Sequence, residues 1–144
     1  MFLQQGTRTI EFNISSYQFP EKKSIKEFDY DANWLICEIK YSDTGCSETY
    51  KDVCLLTYEL ADLEENLSKI IDGLEYSYIS DFTEPFLKIA VAKSDESIVL
   101  IFHVVYDTLD SIWKERKICQ SLSYEEAKLI RDDLKKLITN YPER

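Results

Sequence analysis

Apolar and polar positions alternate at the start of the chain. Thr9-Ile10-Glu11-Phe12-Asn13-Ile14 turns Ile10, Phe12 and Ile14 to one side, the period of a half-buried strand. Tyr17-Gln18-Phe19-Pro20 ends that strand, because Pro20 has no N–H for a ladder. The charged run Glu21 to Glu27 reads as an exposed loop. In the polar turn Asp29-Tyr30-Asp31-Ala32-Asn33, Asp31 and Asn33 are placed to bond nearby backbone N–H groups. A second strand follows to about Tyr41, its Leu35, Cys37 and Ile39 alternating with Trp34, Ile36 and Glu38. Ser42-Asp43-Thr44-Gly45 is a turn by composition and makes the third strand, Glu48 to Leu56, a hairpin partner.

The period then changes. Leu60, Leu63, Leu67, Ile70 and Ile71 recur at three-and-four spacing, which predicts a helix with Thr57 as its cap and Asp72-Gly73 as its stop. Four strand candidates follow, Leu74 to Ser80, Phe86 to Ala92, Ser97 to Tyr106 and Lys114 to Leu122. The third of these is apolar on both faces except for His103, which places it inside a sheet. Ser123-Tyr124-Glu125-Glu126 is a capping box, and the helix it opens carries Ala127, Ile130, Leu134, Leu137 and Ile138 on one stripe. The order is βββαββββα. It predicts one α+β domain over residues 1–144, with a mainly antiparallel sheet of about seven strands under two amphipathic helices.

Composition narrows the partners. The 144 residues carry 17 Lys and Arg against 27 Asp and Glu, a net charge of −10. Such a surface repels nucleic acid and acidic lipid heads and steers basic partners inward. No apolar run reaches the roughly 20 residues that span a bilayer. The first residues show no apolar signal-peptide core, so a cytosolic location is expected. Cys37, Cys46, Cys54 and Cys119 form no C-x-x-C pair and read as small apolar fillers, although a Cys37–Cys54 bridge across neighbouring strands is conceivable.

Little in the sequence points to catalysis. His103 is the one histidine, and any base–nucleophile pair built on imidazole would need it. There is no phosphate-binding glycine motif and no zinc-ligand spacing, so no cofactor or metal is expected. Acidic residues are plentiful, including Glu59, Asp62, Glu64 and Glu65 on the first helix, and each alone reads as part of a solvated face. Acidic loops beside exposed aromatics suit the grip of a basic protein partner. On that ground Asp81, Glu84, Asp95, Glu96, Asp107, Asp110 and Trp113 are the candidate partner-binding residues.

Several short stretches, in order, resemble a WapI family immunity protein. They are Tyr17-Gln18-Phe19-Pro20, Tyr30-Asp31-Ala32-Asn33-Trp34-Leu35, Asp52 to Leu60, Phe82-Thr83-Glu84-Pro85-Phe86-Leu87 and Tyr141-Pro142-Glu143-Arg144. The family tends to carry a proline where Val53 stands and a tryptophan where Tyr58 stands. Its Arg-Pro-rich loop before the last strand appears here only as Leu109-Asp110-Ser111-Ile112-Trp113. The resemblance implies a non-enzymatic cytosolic antitoxin. Its partner would be the C-terminal, basic nuclease domain of a cell-wall-associated contact-dependent toxin, bound and occluded. The alternatives from the residues themselves are a binding or regulatory domain with another partner, or a hydrolase using His103 and carboxylates.

Overall fold

In a computed structural model, residues 1–22, 29–107 and 112–144 are described. Most of the charged loop expected over Glu21 to Glu27, and Leu109, Asp110 and Ser111, lie outside them. The chain runs β1 (Phe2–Gln5), β2 (Arg8–Tyr17), α1 (Tyr30–Asn33), β3 (Trp34–Asp43), β4 (Cys46–Leu56), α2 (Thr57–Ile71), β5 (Ser77–Ile79), β6 (Leu87–Lys93), β7 (Ile98–Asp107), β8 (Trp113–Leu122) and α3 (Tyr124–Asn140). The class is α+β, as the periodicities predict. The strands form two antiparallel four-stranded sheets, β1-β2-β3-β4 and β5-β6-β7-β8, rather than the one sheet of about seven expected. The reason is coverage. A helix about 10 Å wide shields roughly two strands spaced about 4.8 Å apart, so two helices cannot cover seven. Two stacked sheets bury each other instead.

Their inner faces meet through Phe12 and Phe102, ring centroids 5.8 Å apart, and through Tyr50 stacked on Tyr106 at 5.1 Å. Helices α2 and α3 pack on each other and on strands of both sheets, and all contribute to one apolar cluster. Along one margin β1 meets β8, where Gln4 N–H donates to Gln120 Oε1 at 2.8 Å and Cys119 N–H to Gln5 Oε1 at 3.2 Å. Strand β7 lies inside its sheet, as its composition predicts. Its second face, with Val99, Ile101, His103 and Val105, points away from this core and is only half-buried.

Local irregularities correct the sequence reading. A bulge at Ser15 shifts the register of β2 against β3, so the inward face passes from Ile10, Phe12 and Ile14 to Tyr17. The strand ends at Tyr17, the first residue of the stretch expected to end it. In the turn before β3, Asp29 is the cap, accepting from Asp31 N–H at 2.9 Å, and Asp31 instead pairs with Lys22. Helix α2 is capped by the Glu59 carboxylate, which accepts from Leu56 N–H at 2.8 Å. The expected Thr57 cap is wrong, because that hydroxyl lies within the first turn and donates to Asn33 Oδ1 at 2.8 Å. Gly73, at φ +75°, ends α2 in a left-handed residue as expected. Ser123 and Glu126 form the expected reciprocal cap on α3.

Candidate functional site

The first turns of α2 and the segment from β5 into the following loop enclose a cleft of about 330 Å³. Tyr58, Glu59 and Asp62 come from the helix, and Tyr78, Asp81 and Phe82 from the opposite wall. Glu59 is buried because its carboxylate is fully used. Beyond Leu56 it accepts from Thr83 N–H at 2.6 Å and from Thr83 Oγ1 at 2.7 Å, which ties the loop to the helix. Asp62 Oδ2 accepts from the Tyr78 hydroxyl at 2.8 Å. Burial first, then that carboxylate, pushes the Tyr78 hydroxyl above its usual range. Tyr30 stands edge-on to Tyr58, centroids 6.5 Å apart, extending the aromatic wall. The cleft thus offers carboxylates between aromatic rings, a setting that favours a guanidinium or ammonium group.

Ile79 forms the lip of this cleft and is 74% exposed. It also borders a second hollow of about 240 Å³ on the outer face of the β5–β8 sheet, with Ala90, Ile101 and His103. There His103 pairs in register with Lys88 on one side and Lys117 on the other. Its Nε2 lies 2.8 Å from Glu115 Oε1 but out of line for a hydrogen bond. One carboxylate and two lysines thus surround this imidazole. Among the described residues, no group of three or more His, Cys, Asp or Glu is arranged to hold a metal. All four cysteines are free thiols.

The candidate residues from sequence do not form one patch. Asp81 lines the cleft. Glu84 precedes Phe86, whose ring stacks on Trp113 at 5.6 Å and 17°, and Asp107 faces Trp113 across the β7–β8 ladder. These four share one end of the sheet. Trp113 is 59% exposed, in line with its polar sequence context. Asp95 and Glu96 occupy the turn at the other end of β7, whose ten residues span roughly 30 Å. Asp110 lies outside the described residues. Sequence reasoning passed over Tyr58, Asp62, Tyr78 and Ile79. Asp62 and Tyr58 look like parts of an ordinary solvated helix face until β5 is folded against them.

The stretches that carry the family resemblance converge in space, at two points. The first is Asn33, fully buried. Its Nδ2 donates to Asp29 O at 2.8 Å and Arg144 O at 3.0 Å, and its Oδ1 accepts from Arg144 N–H at 2.9 Å and the Thr57 hydroxyl. Around it the Tyr17 hydroxyl donates to Pro142 O at 2.6 Å, the Tyr141 hydroxyl donates to Ile14 O at 3.1 Å, and the Arg144 guanidinium lies 3.4 Å over the Tyr17 ring. The second is Glu59, which joins the 52–60 and 82–87 stretches through Thr83. The motifs are therefore a scaffold.

The model of the Immunity protein WapI-like family matches residues 1–142. The chain belongs to the WapI-like immunity protein family. No curated protein and no solved structure matches it. As a WapI-like immunity protein the chain has an antitoxin role, with a toxin protein as its cognate partner. Of the residues lining the cleft, only Tyr58, Glu59 and Phe82 belong to the WapI-like motifs.

Proposed function

We propose that the chain is a non-catalytic, cytosolic immunity protein that binds the nuclease domain at the C-terminus of a contact-dependent toxin and blocks it by occlusion. Family membership over nearly the whole chain carries this reading. The charge of −10 supports the nuclease assignment, because a domain that cleaves nucleic acid presents a basic cleft that an acidic protein can fill. The acidic, aromatic-walled cleft beside α2 adds a place for a basic side chain to enter.

The test is to co-purify this protein with the C-terminal domain of the toxin encoded beside it, then to assay RNA cleavage by the complex. A one-to-one complex with cleavage abolished is the expected result. No complex, with cleavage unaffected, overturns the reading. Steering by net charge further predicts association that slows by about tenfold or more between low and high salt. Stopped-flow mixing measures this, and a flat salt profile would remove steering from the account.

A further inference from the structure

The outer side of the β5–β8 sheet is uncovered by any other described element, since both helices and the first sheet pack on its inner side. On the edge strand of this face Ile79 is 74% exposed, and the segment leading into it adds Leu74 at 73% and Tyr76 at 80% beside the edge. From Ile79 the apolar surface continues inward along one row of the sheet through Ala90 and Ile101. Outward it drops into the cleft walled by Tyr58, Asp62 and Asp81. Ile79 borders both hollows, so they are one continuous surface with an apolar centre, an acidic flank at the cleft, and Lys88, Lys117 and Glu115 around His103 on the far side.

We propose that this surface, centred on Ile79, is where the toxin domain docks; the assignment rests on the immunity reading above. The occupant's chemistry follows from the surface. An apolar side chain covers Ile79, Ala90 and Ile101, and an arginine or lysine beside it enters the cleft between Tyr58, Asp62 and Asp81. The cation gains both carboxylate attraction and the faces of the rings. Charge complementarity selects this partner over a second copy, because a protein of net charge −10 opposes its own close approach while a basic domain is drawn in.

The experiment compares full-length variants against the toxin's C-terminal domain by calorimetry and stopped-flow mixing. Ile79→Asp should weaken the complex by ~30-fold or more, the size of a hot-spot loss. Thr49→Asp adds the same charge on the outer face of the other sheet and should stay within about threefold of wild type. Asp81→Asn, on an exposed loop, should slow association and flatten its salt dependence without changing the melting temperature. Ile79→Asp binding as tightly as Thr49→Asp overturns the docking surface and leaves the immunity reading standing. A wild-type protein that does not bind the toxin domain overturns both. A wild-type dimer, dissolved by Ile79→Asp, assigns the surface to a second copy and also overturns the proposal.

Discussion

At the scale of the residue, Asn33 concentrates more of the fold than its one amide suggests. Both donors and both acceptor sites of that amide are used, and the partners lie at residues 29, 57 and 144. Asn33→Ala leaves the Thr57 hydroxyl and the Arg144 N–H without their acceptor in a buried place. The expected cost is about 2–4 kcal/mol, read from urea denaturation, with Thr57→Val costing roughly 1 kcal/mol. An unchanged midpoint for Asn33→Ala would show that water replaces the amide. From sequence, Asn33 reads as a turn former, because its spacing to Asp29 and Asp31 is visible and its tie to Arg144 is not. The partner is 111 positions away, and no local pattern reports a contact at that separation. The same holds for Tyr17, whose inward turn depends on a bulge one residue wide.

At the scale of the element, periodicity was enough wherever one face meets a core. The stripe of Leu60, Leu63, Leu67 and Ile70 is buried on α2, and that of Ala127, Ile130, Leu134 and Leu137 on α3. What periodicity misses is how an element begins and what its far face meets. Glu59 looks like first-turn acidity suited to the helix dipole. In the folded chain it also gathers Thr83, which is 24 residues on and shapes the cleft. Glu59→Gln places an amide N–H₂ against backbone N–H donors, so it should cost about 1–2 kcal/mol and loosen the loop over Phe82 and Thr83. Amide hydrogen exchange of Thr83 is the sensitive measure. Gly73→Ala tests the helix stop. Its φ of +75° is strained for any side chain, and the loss should be about 1 kcal/mol, seen as a lower thermal midpoint.

At the scale of the whole molecule, the division into two sheets was hidden because each strand carries the same alternating signature wherever it pairs. One charged cluster records how the sheets close. Glu48, on the inward face of β4, meets Lys114 and Arg116 of β8 and the Tyr106 hydroxyl of β7. Lys114 chiefly, then Tyr106 and Arg116, hold its carboxyl down to about 2. A folded value below the unfolded one means that the stabilisation is complete above the ordinary glutamate range. It is lost as pH falls from about 4.5 toward about 2. Glu48→Gln should therefore cost roughly 1–2 kcal/mol near neutrality, allowing for partial exposure to solvent. The gap to wild type should close between pH 5 and pH 2. A gap that persists at low pH would assign the effect to packing. The clasp at Asn33 has a consequence in time as well as in energy. Residues 17 and 33 leave the ribosome early, yet their hydrogen-bond and ring partners at 141–144 follow more than a hundred positions later. A polypeptide cut short before residue 141 can complete its sheets and helices while a buried amide and hydroxyl group lack part of their bonding. Such fragments open more readily and meet proteases sooner than chains in which the bonds of Asn33 and Tyr17 are made.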